Sequence, residues 1–411
     1  MRLPVFFLIV SIVGLWHTAN AIRPPKREPF SNLVFFPGWL TSELPLQIML
    51  LQAVGLGLFV AGGAIEGTAG LVGLGLTALS WVGLVAMAVQ AHRAGAVLEA
   101  AMAEGLGGAY RPPTDPPSPI QWARLALPFH LRSADVSVTK NVAYLPDATK
   151  FHRLDVFRGK NAKEEGGAPV LLYVHGGGWV IGDKKEQGLP MMNHLAGRGW
   201  VCVSANYRLS PKATWPDHLV DTKAALAWVK EHIAEYGGDP DQVVISGGSA
   251  GGHIAAVMAL TANDPEYQPG FEHVDTSVVA GVPIYGVYDL TNRLGFRSKG
   301  FVRFLAKTVM KSTAAADPLG WAKASAMDRV ATAPQIPPMF LIHGRNDTLV
   351  PVGEARHMAS LLRAKSQSPV VYAELPGAQH AFEIFHSLRT AHLVVAIERF
   401  LGTVVPAADR R

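Results

Sequence analysis

The 411-residue chain contains one cysteine, Cys202. A single thiol excludes an intramolecular disulfide and any cysteine-rich metal site. It lies in the apolar run WVCVSA, where a buried structural thiol is expected over a reactive one. Charge is scarce as well: Asp, Glu, Lys and Arg make up 17% of residues, and the formal net charge is +5. The basic residues are scattered and form no run of five or six. That argues against nucleic-acid binding and leaves only a general attraction to a membrane surface. No internal repeat is visible. What the chain has in excess is apolar residues, 49% of the total, too many for an ordinary soluble enzyme.

The excess sits in the first hundred residues. Leu46–Ile65 carries no charge, and neither does Leu71–Val89, broken only by Thr77 and Ser80. At about 1.5 Å per residue each run gives roughly 30 Å of helix, the thickness of a bilayer's hydrocarbon core. With only EGTAG between them, residues 46–90 are expected to form a transmembrane helical hairpin. Small residues at Gly57 and Ala61, and at Ala69, Gly73 and Thr77, would allow close approach of the two helices. A buried hairpin of a soluble protein is the alternative, disfavoured because both runs lack a polar face. Residues 1–22, beginning MRLPVFFLIV, read either as a signal-like segment ending small-x-small at Ala19 and Ala21 or as a first membrane helix. A cleaved signal followed by a hairpin exports the C-terminal domain. An uncleaved helix gives three spans, and the Arg23, Lys26, Arg27 cluster then favours a cytoplasmic domain.

Residues 91–131 read as a linker or cap region, with the proline-rich joint RPPTDPPSPIQ at 111–121. From about residue 132 short apolar strands alternate with amphipathic helices: APVLLYVHG, WVCVSANY, DQVVISGG, SVVAGVPIYG, PPMFLIHG and PVVYAEL are the strand candidates. Such alternation predicts an α/β fold with a mostly parallel sheet covered on both faces, with reactive loops at the C-terminal strand ends.

Within that half, DQVVIS predicts a strand and SAGGHIAAVMALT a helix starting at once. So sharp a turn needs neighbours without bulk, and Gly247, Gly248, Ala250 and Gly251 supply them around Ser249 in a G-x-S-x-G pattern. A phosphate-cradling loop is the competing reading, but no lysine follows the glycines. About seventy residues upstream, YVHGGGWVIGD follows a strand. Consecutive glycines there are either a flexible turn or a set of free backbone N–H groups which, with that of Ala250, hold a developing oxyanion. LIHGRNDTLVP offers Asp347 and LPGAQHAF offers His380, each just past a strand. A lone Asp or His in a loop is usually a solvated surface residue. The order Ser249, Asp347, His380 makes the set specific.

The motifs HGGGW, NYRLSP, EYGGDPDQV, GGSAGGH, HGRNDTLVP and GAQHAF together resemble the α/β-hydrolases of the hormone-sensitive-lipase-like carboxylesterase group, over residues 132–402. The resemblance implies a serine carboxylesterase or lipase fold preceded by the N-terminal membrane helices. It also implies an oxyanion hole from Gly177, Gly178 and Ala250. One residue departs from the group's habit: the position before the serine, commonly acidic, is Gly248. The membrane-anchored arrangement also resembles prenylcysteine methylesterases and certain actinobacterial lipid esterases. The expected chemistry is two-step acyl transfer by Ser249, His380 and Asp347, with no metal or organic cofactor. Trp179 either walls the acyl pocket or packs internally, Asp289 is expected as a loop cap, and His343, His357 and His392 as structural or solvent-facing. The expected partners are a small-molecule acyl ester or lipid substrate and the membrane, not nucleic acid. An amide substrate, as in arylformamidases, and a non-catalytic binding protein are the competing functions. Oligomeric state is not legible.

Overall fold

The computed structural model describes residues 2–25, 33–112, 120–161 and 167–405. Its N-terminal part is helical: α1 (Leu3–Ile22), α2 (Phe35–Glu43), α3 (Pro45–Ala61) and α4 (Gly67–His92). Among the described residues, α1 and the stretch containing α4 are long and apolar enough to cross a bilayer, and α2 with α3 forms a third candidate bent by 96°. The bend has a local cause. Leu44 leaves the helical region at φ −118°, ψ 43°, as a residue ahead of a proline tends to, and Pro45 then opens α3.

The main helix contact differs from the expected hairpin seam. Gly73 and Thr77 do not face α3; they face α1, where Thr77 Oγ1 donates to Ser11 Oγ at 3.1 Å and a Cβ on Gly73 would lie 3.0 Å from the Phe7 ring. Gly57 of α3 has nothing within 4 Å of where its Cβ would be. Thr18 and Ser80 hydroxyls share a 2.8 Å hydrogen bond, and Gln52 of α3 reaches Ser80 at 3.2 Å. These pairings, 11 with 77 and 18 with 80, make α1 and α4 run parallel. The small residues therefore serve an α1–α4 seam, where backbones approach closely and hydroxyls find partners across helices.

The segment expected as a linker contributes to the catalytic body. α5 (Ala94–Leu106) buries Leu98, Met102 and Leu106 in the same apolar cluster as the last strands and helix. A Cβ on Gly105 would come within 2.7 Å of the Val371 Cα, so the helix lies directly on the sheet. α6 (Trp122–Ala126) follows, its Leu125 carbonyl accepting from Gln47 Nε2 of α3 at 2.6 Å. Residues 113–119 of the proline-rich joint lie outside the described residues.

Eight strands then form one sheet: β1 (Val136–Ala143), β2 (Arg153–Gly159), β3 (Ala168–Val174), β4 (Val201–Ala205), β5 (Gly238–Gly248), β6 (Ala280–Ile284), β7 (Met339–Gly344) and β8 (Val370–Leu375). The spatial order is β1-β2-β4-β3-β5-β6-β7-β8. β2 runs antiparallel to both its neighbours, and the remaining pairs are parallel, as crossover helices require. Period-two alternation divides the strand side chains between two faces. Leu171, Tyr173 and Cys202 meet α5, α7 (Leu189–Ala196) and the C-terminal helix. Val170, Leu172 and Val174 meet α8 (Asp217–His232), α9 (Ala250–Leu260) and α10 (Val352–Lys365). The last element is α11 (Leu388–Val404). This is the α/β-hydrolase fold, preceded by apolar helices, and the loops after β3, β5, β7 and β8 gather at one end of it.

Candidate active site

β5 ends at Gly248 and α9 begins at Ala250, so Ser249 alone makes the turn. Its backbone, at φ 58° and ψ −120°, is a conformation that costs on the order of 1–3 kcal/mol for a residue with a side chain. The surroundings hold it there: Ser249 N–H donates to the Ile284 carbonyl at 3.0 Å, and its own carbonyl accepts from His253 N–H at 2.9 Å. A Cβ on Gly251 would lie 2.0 Å from the Val174 carbonyl oxygen, so the turn closes only with glycine there. At Gly248 a Cβ would meet the Tyr285 hydroxyl at 2.6 Å. The departure from an acidic residue at this position has a steric reason. Tyr285 occupies the space and donates its hydroxyl to a buried acid elsewhere in the chain, Glu383.

The glycine loop after β3 abuts this turn. A Cβ on Gly176 would sit 3.0 Å from Ser249 Cβ, and one on Gly177 would sit 2.0 Å from the Ile181 carbonyl oxygen. Gly177 and Gly178 take φ of 120° and 59°, and the Gly177 carbonyl accepts from Val180 and Ile181 N–H, both at 3.1 Å. The N–H groups of Gly177 and Gly178 have no partner among the described residues. Ala250 opens α9, where a helix leaves its N–H groups unpaired and its dipole positive. His175 braces the loop from below: its Nδ1 lies 2.8 Å from the Gly176 carbonyl, and its ring stacks on Tyr207 at 4.5 Å. Tyr207 in turn donates its hydroxyl to the His175 carbonyl at 3.0 Å. The NYRLSP motif thus has a job, since Asn206 also accepts from Lys184 N–H at 2.6 Å and Arg208 pairs with Asp221 at 2.7 Å. The Trp179 side chain is 1% exposed and meets the His253 ring edge-to-face at 5.2 Å, which is internal packing.

The structure brings Asp347 and His380 together: His380 Nδ1 and Asp347 Oδ2 are 2.7 Å apart, both buried. Asp347 Oδ1 accepts from the Leu349 and Val350 N–H groups at 2.9 and 2.7 Å. His343 lies on the same carboxylate, its Nε2 3.2 Å from Oδ2 and 2.9 Å from the Val350 carbonyl. Burial alone would push the Asp347 carboxyl up, but His380 and His343 outweigh it and hold the group well below the usual carboxylate range. Gln379 ties the two loops, its Oε1 accepting from Thr348 N–H at 2.7 Å and His380 N–H at 3.0 Å. Tyr285, whose hydroxyl fills the space at Gly248, also lies 4.5 Å from the His380 ring, so one side chain contacts both the serine turn and the histidine. No hydrogen bond joins Ser249 Oγ to His380 among the described residues.

His343, expected only as structural or solvent-facing, is buried against the Asp347 carboxylate. Its signal was its position four residues before Asp347 at a strand end. Tyr285 and Glu383 carried no signal. Asp289 behaves as a loop cap, accepting from Arg293 and Leu294 N–H at 3.1 and 2.9 Å. Cys202 is buried, and burial pushes its thiol up, which makes it inert.

Three comparisons bear on this geometry. The BD-FAE family pattern matches residues 154–362. The chain is 40% identical to the probable carboxylic ester hydrolase LipM of Mycobacterium tuberculosis, over 97% of this chain and 93% of that one. It is 38% identical to the esterase LipQ of the same organism, over 89% and 83%. Among solved structures, esterase B from Lactobacillus rhamnosis superposes with a TM-score of 0.56 at 20% identity, covering 77% of this chain and 96% of that one. That last likeness speaks to the fold alone.

Proposed function

The chain belongs to the BD-FAE family of hormone-sensitive-lipase-like α/β-hydrolase carboxylesterases and is a carboxylic ester hydrolase, and from that premise we propose that Ser249, His380 and Asp347 carry its chemistry. The observation behind it is the arrangement at the strand ends: a strained Ser249 turn, a glycine loop against its Cβ, and a 2.7 Å His380–Asp347 pair whose imidazole lies on Tyr285, the side chain that also fills the space at Gly248. On this reading the Ser249 hydroxyl turns onto His380 Nε2 when substrate binds, a contact that commonly tightens only in the complex. His380 takes the hydroxyl proton as Oγ attacks the ester carbonyl, and the new oxyanion is met by the N–H groups of Gly177, Gly178 and Ala250. His380 then gives the proton to the leaving alcohol, and water releases the acid by the same steps reversed. Asp347, kept ionised, fixes the imidazole tautomer and stabilises its charged form. Trp179 contributes to this through packing beneath the glycine loop.

Lipophilic acyl esters are the substrate class this reading favours. Such esters concentrate in a bilayer, and the apolar helices support a reading in which the enzyme resides there. α1 is a retained span on this reading, because its buried hydroxyls are paired with α4. α1 and α4 both end at the catalytic body, where Asn346 Nδ2 donates to the Ile22 carbonyl at 3.1 Å. Arg23 and Arg93 lie at that end, and Lys26 and Arg27 follow in sequence, which favours a cytoplasmic catalytic domain. Ser249→Ala is expected to abolish hydrolysis of nitrophenyl esters and labelling by an organophosphate while the fold persists. Retained labelling would remove Ser249 as nucleophile. Wild-type turnover should rise when a long-chain ester is presented in vesicles rather than as dilute monomer; equal rates would remove the lipophilic preference.

A further inference from the structure

The loop between β8 and α11 carries His380 and has no strand or helix of its own to hold it. α2 holds it instead. Trp39 Nε1 donates to the Ala381 carbonyl at 2.9 Å, one residue from the histidine. At the other end of α2, Glu43 forms a fully buried ion pair with Arg389 at 2.7 Å and accepts from Ser387 Oγ at 3.2 Å. Arg389 closes the loop on itself, reaching the Ser42 carbonyl at 2.8 Å and the Pro376 carbonyl at 3.2 Å. One turn before Trp39 the Phe35 ring stands edge-on to His380 at 6.4 Å and stacks on Trp39 at 5.8 Å, while Trp39 packs on Phe385 at 5.2 Å.

From this we infer that α2 is part of the active site, with Trp39 and Phe35 as positioning residues for His380. The inference rests on the assignment of His380 as the base. The imidazole is fixed on one side by Asp347 and by Tyr285, both of the catalytic body. Its remaining side and its backbone are fixed by α2, which runs into α3 and so into the membrane region. The N-terminal region is then more than a tether. A loop displaced by about 1 Å loses the near-attack geometry between imidazole and serine, and such displacements cost on the order of 100-fold in rate.

The test uses the full-length protein in detergent micelles and nitrophenyl acetate, a water-soluble ester whose delivery does not depend on a bilayer. Trp39→Phe keeps a ring on Phe385 but removes the N–H donor to Ala381. We expect kcat to fall on the order of 10- to 100-fold with KM within twofold, and organophosphate labelling of Ser249 to slow in proportion, at an unchanged melting midpoint. Leu33→Ala, an exposed position just before α2, should leave turnover of the same ester unchanged. Wild-type kcat in Trp39→Phe would overturn the inference. Should that variant melt early, Phe35→Leu decides: a drop in kcat at constant KM supports the role, and an unchanged kcat removes it. Absence of turnover and labelling in the wild-type protein would instead count against the assignment of the site itself.

Discussion

The same side chain is placed oppositely in the two halves of this molecule. Leu172 and Ile245 in the central sheet are 0% exposed, whereas Leu50, Leu51 and Leu58 of α3 are 65%, 69% and 72% exposed. In α1 and α4 Ser11, Thr18, Thr77 and Ser80 are buried alongside Phe7, Leu84 and Met87. The catalytic half follows the rule for folding in water, where burying a leucine removes apolar surface from a cohesive solvent. The helical half leaves leucines exposed, as helices lying in lipid would, since lipid is as apolar as leucine and burial would gain nothing there. What is left to hold helices together is close contact at small residues and hydrogen bonds between hydroxyls. Each half also buries a polar cluster, and the two differ in kind: Asp347, with His380 and His343 on it, is a carboxylate held ionised, while Ser11, Thr18, Thr77 and Ser80 are neutral.

That difference is tested most severely at the charged cluster. Asp347→Asn keeps the size and most of the hydrogen bonds but removes the charge that fixes and stabilises the imidazole. It is expected to lower kcat by roughly 10⁴-fold on a short nitrophenyl ester while KM changes little. A loss below tenfold would mean that Asp347 only shapes its turn. The packing contrast is tested by one substitution made twice. Leu172→Ala should cost about 2–5 kcal/mol of stability, because it opens a cavity in a close-packed sheet. Leu51→Ala in lipid should cost well under about 1 kcal/mol, since no cavity forms on a surface already in contact with solvent of its own polarity. Comparable losses at both positions, by thermal unfolding in a bilayer mimetic, would show that α3 is packed against something other than lipid.

The legibility of the molecule follows the same division. Strands β3 to β8 were readable as short apolar runs because both their faces are buried. β1 and β2 were missed: the run VSVTKNVA alternates apolar and polar residues, as an edge strand with a solvated face does, and a search for continuous apolar segments passes over it. Asp347 and His380 were readable from motif order, and their side chains lie 2.7 Å apart. The parts that stayed hidden are those whose meaning lies in distant contacts. FFPGWLTSE shows no helical periodicity and no catalytic motif, yet it contacts His380 across more than three hundred positions of sequence. Tyr285 and Glu383 likewise explain Gly248 only once the sheet brings them together. The role of α4's small residues was misassigned because a hairpin is the nearest partner in sequence, whereas the closer partner in space is α1.

The buried acid beneath the site gives a pH-dependent version of the contrast. Glu383 lies in the catalytic half, and burial pushes it up from 4.5 to about 7 although the Tyr285 and Tyr173 hydroxyls pull it down. In the unfolded chain it would lose its proton near 4.5, so between there and about 7 the native state holds the extra proton. The stabilisation is therefore full below that window and is lost as pH rises through it, by on the order of 3 kcal/mol at most. Glu383→Gln, neutral at every pH, should flatten the decline of the melting midpoint between pH 5 and roughly 7. An identical slope in the variant would place the titration elsewhere.

The smallest effect is expected from the neutral cluster. Thr77→Val removes the hydroxyl that donates to Ser11 and accepts nothing essential, while keeping the shape of the α1–α4 seam. In water a buried hydroxyl left without its partner costs about 1–3 kcal/mol, but hydrogen bonds between membrane helices average only about 0.6 kcal/mol, because the separated helices find other partners. The variant should accordingly melt within a degree or two of wild type and hydrolyse soluble esters at the wild-type rate. A loss of 2 kcal/mol or more would mean that water, not lipid, is the reference state for this seam, and the helical half would then have to be read by the same rule as the sheet.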